Sequence, residues 1–288
     1  DVEGAESNEN LANQINSEAL KYIASACEAL DLILLHFSTD YVFDGNKNTP
    51  YLEDDKPNPI STYGNSKLLG EKIISDNMKN YIIFRTSGVI SNNTNNFINK
   101  IMLAAETQKE LKIVDDQITS LNHSDFLAEA MNKILSSFEM EKENSLGEIY
   151  NLVGPSSGTW FEFSKFAQRI CKNRKKQSKF ADISIIPVTS EEMSFKANRP
   201  KYSHLSSDKI EKELIEGRID LAVHALKDMP TFETKNLLTN SYLKRNSPNE
   251  ILISNHNLKL EELEPNSIIG TSSYRREYQL KQKRSDFK

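Results

Sequence analysis

The chain has 288 residues, a hydrophobic share of 38% and a formal net charge of −5. That length accommodates one large or two ordinary domains with buried cores, and the acidic balance argues against nucleic acid as a partner. The longest apolar run, residues 30–37, is broken by Asp31 and His36 and is far too short to span a bilayer. No basic start with an apolar stretch and a small-residue cleavage site opens the chain, so a cytoplasmic protein without a membrane partner is expected. Leu11, Ile15, Leu20, Ile23, Cys27 and Leu30 recur at helical spacing, and residues 31–37 then read as a strand covered on both faces. A helix over 63–76 leads into a strand at 81–85. A helix over 97–107 precedes a strand at 111–114. A helix over 125–137, a strand at 149–153 and a helix over 160–171 continue the series. This alternation predicts an α/β domain with a doubly wound, Rossmann-like parallel sheet across residues 1–207.

Beyond Ser207 the pattern restarts. A helix over 209–216 feeds a strand at 218–224, with further strands at 237–243, 250–254 and 267–270. A short helix at 260–263 and a charged closing helix over 274–283 complete this part. The change near Asp208 is abrupt and lacks a Gly/Ser/Pro-rich linker. Residues 208–288 therefore form a second unit. The basic run 172–176 reads as a solvated helix end. Cys27 and Cys171 lie far apart without metal-type spacing, so both are expected as reduced, buried thiols and no metal site is expected.

Tyr63 and Lys67 are four residues apart, on one face of a helix. An ammonium beside a phenol favours the phenolate and lowers the phenol pKa toward the working pH. Such a phenol can give a proton to a carbonyl oxygen as hydride reaches its carbon. The Thr39 hydroxyl, at the carboxyl end of the 31–37 strand, is placed to hold the same oxygen, since open α/β sheets bind ligands at strand carboxyl ends. A Tyr-x-x-x-Lys pair alone is a weak signal.

With Ser38-Thr39-Asp40-Tyr41-Val42-Phe43-Asp44-Gly45 upstream and Pro57-Asn58-Pro59 between, the sequence resembles the extended short-chain dehydrogenase/reductases. Within them it resembles the dTDP-4-dehydrorhamnose reductase family. Supporting matches include Ala5-Glu6, Ser66-Lys67, Gly70-Glu71, Arg85-Thr86-Ser87, Asn96-Phe97, Asp115-Asp116-Gln117 and Arg199-Pro200. The resemblance implies NADPH- or NADH-dependent reduction of dTDP-4-dehydro-L-rhamnose to dTDP-L-rhamnose, with a dTDP-sugar as the small-molecule partner and a homodimer as an open option. Tyr63 would be the proton donor, Lys67 its pKa partner and a ribose ligand, and Thr39 the oxygen-positioning hydroxyl. Tyr63, Lys67, Ser38 and Arg85 would face the cofactor, and Tyr41 and Asn96 the sugar nucleotide. The sequence departs from the family in three places. No Gly-x-x-Gly-x-x-Gly turn is present, so the first strands and the main pyrophosphate site are expected to be lacking and cofactor binding impaired. Gly88 stands where the family has a Trp. Thr119-Ser120-Leu121-Asn122 replaces a Gly-x-Pro-Thr loop.

In the second unit, Lys227-Asp228 follows the 218–224 strand, and Thr271-Ser272-Ser273 precedes Arg275-Arg276 at the start of a helix. Paired guanidinium groups and helix N-terminal N–H groups suit carboxylate ligands. With His224-Ala225-Leu226-Lys227-Asp228-Met229-Pro230 these residues look like porphobilinogen deaminase (hydroxymethylbilane synthase). The resemblance implies an incomplete periplasmic-binding-protein-like α/β fragment and tetrapyrrole chemistry. Asp228 would be the catalytic carboxylate. Lys227, Arg275 and Arg276 would bind acetate and propionate groups, with hydrogen bonds from Thr271, Ser272 and Ser273. The family's dipyrromethane cofactor is implied, but both cysteines lie in the first unit, so its anchor is expected to be absent and the fragment inactive alone. Two further readings stand beside the reductase: a non-catalytic sugar-nucleotide binding protein, and a fused or truncated frame without activity.

Overall fold

The computed structural model describes residues 1–91, 96–138, 147–154, 156–173 and 178–209, with backbone alone at 132–138. The elements expected in 210–288 lie outside the described residues, and with them Lys227, Asp228, Thr271, Ser272, Ser273, Arg275 and Arg276. In chain order the elements are α1 (Val2–Ser7), α2 (Glu9–Asn13), a wider π-type turn (Gln14–Glu18), α3 (Ala19–Ala29), β1 (Leu34–Thr39), α4 (Thr62–Asn77) and β2 (Tyr81–Thr86). They continue with β3 (Gly88–Ile90), α5 (Phe97–Ala104), β4 (Glu110–Val114), β5 (Ile118–His123) and α6 (Ser124–Phe138). The last are β6 (Glu148–Asn151), β7 (Ser157–Thr159), α7 (Trp160–Asn173), α8 (Lys179–Asp182) and β8 (Ser184–Val188).

Strand β2 shows why the layers form. All six of its residues are buried, and side chains alternate between faces along a strand. Ile82 and Phe84 pack with Leu127 and Ala130 of α6 and with Tyr150 of β6. Tyr81 and Ile83 pack with Leu20 and Ala24 of α3 and with Ile74 of α4. A strand apolar on both faces needs a helix on each, and the result is a parallel β1-β2-β6 sheet between helix layers. The doubly wound α/β class read from the sequence is the one observed.

Two smaller sheets were not legible in the alternation. β3, β5 and β7 form one, with β7 antiparallel to β5, and β4 pairs with β8 in the other. The segment Thr119-Ser120-Leu121-Asn122, read above as a loop, belongs to β5. Its polar residues concealed the strand because their partners are polar groups from distant segments. A separate cluster of Ile101, Leu111, Ile113, Phe180 and Ile185, backed by Trp160, Ala167 and Cys171, holds β4, β8, α5, α7 and α8 together.

Two expectations need correction. The strand after α3 runs over Leu34–Thr39 and is covered only in part: Leu34 packs toward α3 and α4 and Leu35 toward α6, but Phe37 is exposed, and Asp31, with φ 51, turns the chain ahead of it so that Leu32 and Ile33 are exposed. Among the described residues only β2 pairs with β1. Cys27 and Cys171 are free but half-buried, each at the margin of its cluster.

Candidate active site

Parallel strands deliver their carboxyl ends to one edge of the sheet. β1 and β2 run in register, Ser38 beside Arg85 and Thr39 beside Thr86. Beyond β1 the chain must turn, because the Thr39 hydroxyl accepts from Tyr41 N at 3.2 Å and closes a tight turn over Asp40–Val42. That turn brings Asp40 and Tyr41 to the start of α4. The helix is capped by Ser61, whose Oγ accepts from Gly64 N at 3.1 Å. The carboxylate of Glu6 takes the Thr62 N–H and hydroxyl at 2.7 and 2.8 Å. Gly64 permits the junction: a Cβ there would lie 2.2 Å from Tyr41 O. Tyr63 is thereby fixed in the first turn of α4 against the end of β1.

Ser38, Thr39, Asp40, Tyr41, Tyr63 and Lys67 line one cleft of about 680 Å3, together with Ser87, Gly88, Gln117, Thr119, Trp160 and Ser203. Three of the four residues expected to be catalytic, Thr39, Tyr63 and Lys67, thus line one cleft; the fourth, Asp228, lies outside the described residues. Tyr63 and Thr39 line the same cleft, close enough for the Thr39 side chain to favour the ionised phenol, and the Tyr41 ring meets the Tyr63 ring edge-on at 6.0 Å. Lys67, one turn further on, donates to Phe37 O at 2.6 Å and lies 3.1 Å from His36 Nε2. Burial, with the Lys67 charge adding to it, lowers the His36 pKa to about 4, so the ring is neutral at physiological pH and its Nε2 can accept from the ammonium.

The expected lowering of the phenol pKa is not what the structure shows. Burial raises Tyr63 above its ordinary value and the neighbouring Asp40 charge adds to the rise, against the pull of the Thr39 side chain. The Lys67 ammonium is directed at the Phe37 carbonyl and His36, and its own pKa is lowered by burial. Tyr63 therefore holds its proton at neutral pH. Tyr41 is likewise raised, by burial first and then by Asp40.

Beneath the cleft lies a polar network that sequence reasoning missed. Asp40, 3% exposed, accepts from Thr39 Oγ1 at 3.0 Å, Thr119 Oγ1 at 3.2 Å and Ser203 Oγ at 2.5 Å. Burial raises its pKa to about 6 in spite of these donors. Two of its three donors, Thr119 and Ser203, lie 79 and 163 residues along the chain, so no local motif announces them. The Ser38 hydroxyl is buried, lines the cleft and has no hydrogen-bond partner among the described residues.

Arg85 and Asn96 are not part of the cleft wall. Arg85 is buried at 2% exposure. Its Nε and Nη2 donate to the two Glu71 oxygens at 3.0 and 2.7 Å, and Nη1 donates to Glu53 O at 3.1 Å. All its donor groups with assigned bonds serve the scaffold. Asn96 caps α5, accepting from Asn99 N at 3.1 Å and donating to Ser91 O at 2.9 Å. Among the described residues no cluster of His, Cys, Asp and Glu suits a metal, and no helix is long and apolar enough to cross a membrane.

The comparisons with known proteins agree with this geometry. The family described as RmlD substrate binding domain matches residues 1–223, and that described as porphobilinogen deaminase, dipyromethane cofactor binding domain, matches residues 166–288. The dTDP-4-dehydrorhamnose reductase of Sinorhizobium fredii is 35% identical over 212 residues, covering 73% of this chain and 70% of that protein. The spore coat polysaccharide biosynthesis protein SpsK of Bacillus subtilis is 35% identical over 217 residues, covering 75% and 71%. Among solved structures, the dTDP-4-dehydrorhamnose reductase of Bacillus anthracis in complex with NADP superposes with a TM-score of 0.65 at 31% identity, covering 74% of this chain and 70% of that one.

Proposed function

The chain belongs to the RmlD substrate binding domain family, and on that premise we propose that its cleft carries the NAD(P)H-dependent reduction of dTDP-4-dehydro-L-rhamnose to dTDP-L-rhamnose. The observation that carries the reading is the meeting of Thr39, Tyr63 and Lys67 in one cleft at the carboxyl ends of β1 and β2. Two features fit the cofactor's nicotinamide–ribose end. The Ser38 hydroxyl is buried and unpartnered on the cleft wall, and the Lys67 ammonium lies beside it in the same wall. NAD(P)H, when bound, supplies the hydride.

The chain's own residues handle the oxygen and its proton. The substrate's C4 carbonyl oxygen would lie between the Thr39 and Tyr63 side chains, which share the cleft wall. As the C4–H bond forms and the carbonyl π bond breaks, the developing alkoxide takes the proton from Tyr63. The raised phenol pKa guarantees that this proton is present. The Lys67 ammonium, held one helical turn away by Phe37 O and His36, then stabilises the phenolate left behind. Asp40 accepts from Thr39, Thr119 and Ser203 and fixes the Thr39 hydroxyl in place.

The test is nicotinamide oxidation, followed at the reduced-cofactor absorbance, with dTDP-4-dehydro-L-rhamnose and the full chain. Tyr63→Phe should lower turnover by about 10²- to 10⁴-fold, the worth of a positioned general acid, while leaving cofactor affinity within a few-fold. A variant that turns over within threefold of the parent refutes the assignment. Tight dTDP-sugar binding without turnover by the parent would replace it with a binding role.

A further inference from the structure

Gly88 leaves the cleft wall without a side chain, and another element fills the space. A Cβ at position 88 would lie 2.8 Å from Leu121 Cδ2 and 3.1 Å from Cη2 of Trp160. The six-membered edge of the indole therefore occupies the volume a residue-88 side chain would need. Trp160 is the first residue of α7. Its ring is wedged against Phe97, centroids 4.6 Å apart at 56°, and meets Phe163 edge-on at 6.4 Å. Anchored in this way, the indole still reaches the cleft, where it joins Val89, Leu127, Ala128 and Met131 in an apolar wall.

Register places that wall relative to the chemistry. Thr39 pairs with Thr86 on the neighbouring strand, and Gly88 lies two residues beyond. The chain leaves the β1-β2-β6 sheet after Thr86 and enters β3 at Gly88, and Thr39, Gly88 and Trp160 line the same cleft. A ring whose carbonyl oxygen sits at Thr39 and Tyr63 has Tyr41 beside the phenol and Trp160 as the aromatic group on the Gly88 side of the same cleft. The electron-rich face of an indole suits the partially positive C–H face of a pyranose. We propose that Trp160 is the specificity-determining wall for the hexose, supplied by α7 in the volume that Gly88 leaves open. This rests on the nucleotide-sugar reading above and adds to it the residue that recognises the sugar.

Trp160 is the only tryptophan in the 288 residues, so intrinsic tryptophan emission reports this residue alone. The full chain is titrated with dTDP-L-rhamnose and with dTDP, occupancy being measured separately by calorimetry. Emission should change strongly with dTDP-L-rhamnose and much less with dTDP at equal occupancy. Trp160→Ala should weaken dTDP-L-rhamnose binding about tenfold, the upper end for one aromatic contact, and leave dTDP binding unchanged, with Trp160→Phe restoring most of the loss. Should Trp160→Ala fail to fold, the parent titrations decide alone. Calorimetric binding of dTDP-L-rhamnose with unchanged emission overturns the inference and leaves the reductase reading standing. Equal responses to the two ligands also overturn it, by assigning the contact to the base. Binding of neither ligand overturns the nucleotide-sugar reading itself, and the inference with it.

Discussion

The buried pair of Arg85 and Glu71 sets a quantitative test of how this fold is held. Both side chains are 3% exposed, and Arg85 spans from the central strand β2 to helix α4, which carries Tyr63 and Lys67. Glu71→Ala removes the acceptor of two hydrogen bonds, at 3.0 and 2.7 Å. The guanidinium is left with Glu53 O and the face of Phe43, 5.2 Å from its centroid. A buried charge stripped of its counter-charge costs about 3–5 kcal/mol, a large share of the roughly 5–15 kcal/mol that stabilises a typical domain. The melting temperature should fall on the order of 10 °C for a unit of this size. The double change Glu71→Leu with Arg85→Met removes both charges and should recover most of the loss, because apolar replacement of a whole pair is often neutral. Circular dichroism melts of the full chain and the three variants measure this cycle. If Glu71→Ala melts within about 2 °C of the parent while Arg85→Met chiefly weakens NADPH binding, then Arg85 serves the cofactor and the reasoning fails.

Further outcomes follow from the same geometry. Gly64→Ala would set a Cβ against Tyr41 O; displacement of α4 from the Thr39 turn should lower kcat at least tenfold in the nicotinamide assay, as for a misplaced reacting group. Asp40 and His36 give stability opposite pH slopes. The folded Asp40 carboxyl keeps its proton up to about 6 against an ordinary 3.8, so stability from this group is present at low pH and is lost as pH rises through about 6. The folded His36 ring stays neutral down to about 4 against an ordinary 6.5, so its contribution is present at neutral pH and lost as pH falls through about 4. Asp40→Asn should therefore unmask the His36 dependence, and urea midpoints should rise more steeply from pH 4.5 to 6.5 than in the parent; a flatter profile contradicts this. Exposure to porphobilinogen should leave the intact mass unchanged, because residues 209–288 hold no cysteine and Cys171 is partly buried against the α7 cluster; a covalent increment would refute it.

What could be read without coordinates was local. The spacing of Tyr63 and Lys67 on one helix, Thr39 at the end of a strand, and the alternation of helix with apolar strand all depend on residues close in sequence, where 3.6-residue and 2-residue periods dictate which side chains share a face. The family resemblance rested on the same short motifs. Tertiary structure decided the rest, since burial and field depend on neighbours remote along the chain. Besides the adjacent Thr39, Asp40 acquires donors from Thr119 in β5 and from Ser203, so neither Thr119 nor Ser203 stood out in a pattern of polar residues. The direction of the Tyr63 pKa reversed the expectation from spacing alone. Desolvation comes first and the Asp40 charge adds to it, against the pull of Thr39. Arg85 looked like a cofactor ligand by motif and is a scaffold residue by contact. Gly88 read as a lost aromatic surface until the fold brought Trp160 into the same volume from 72 positions away. Chain order encodes which groups are available for chemistry, and packing determines their charge state, their partners and which of them face the ligand.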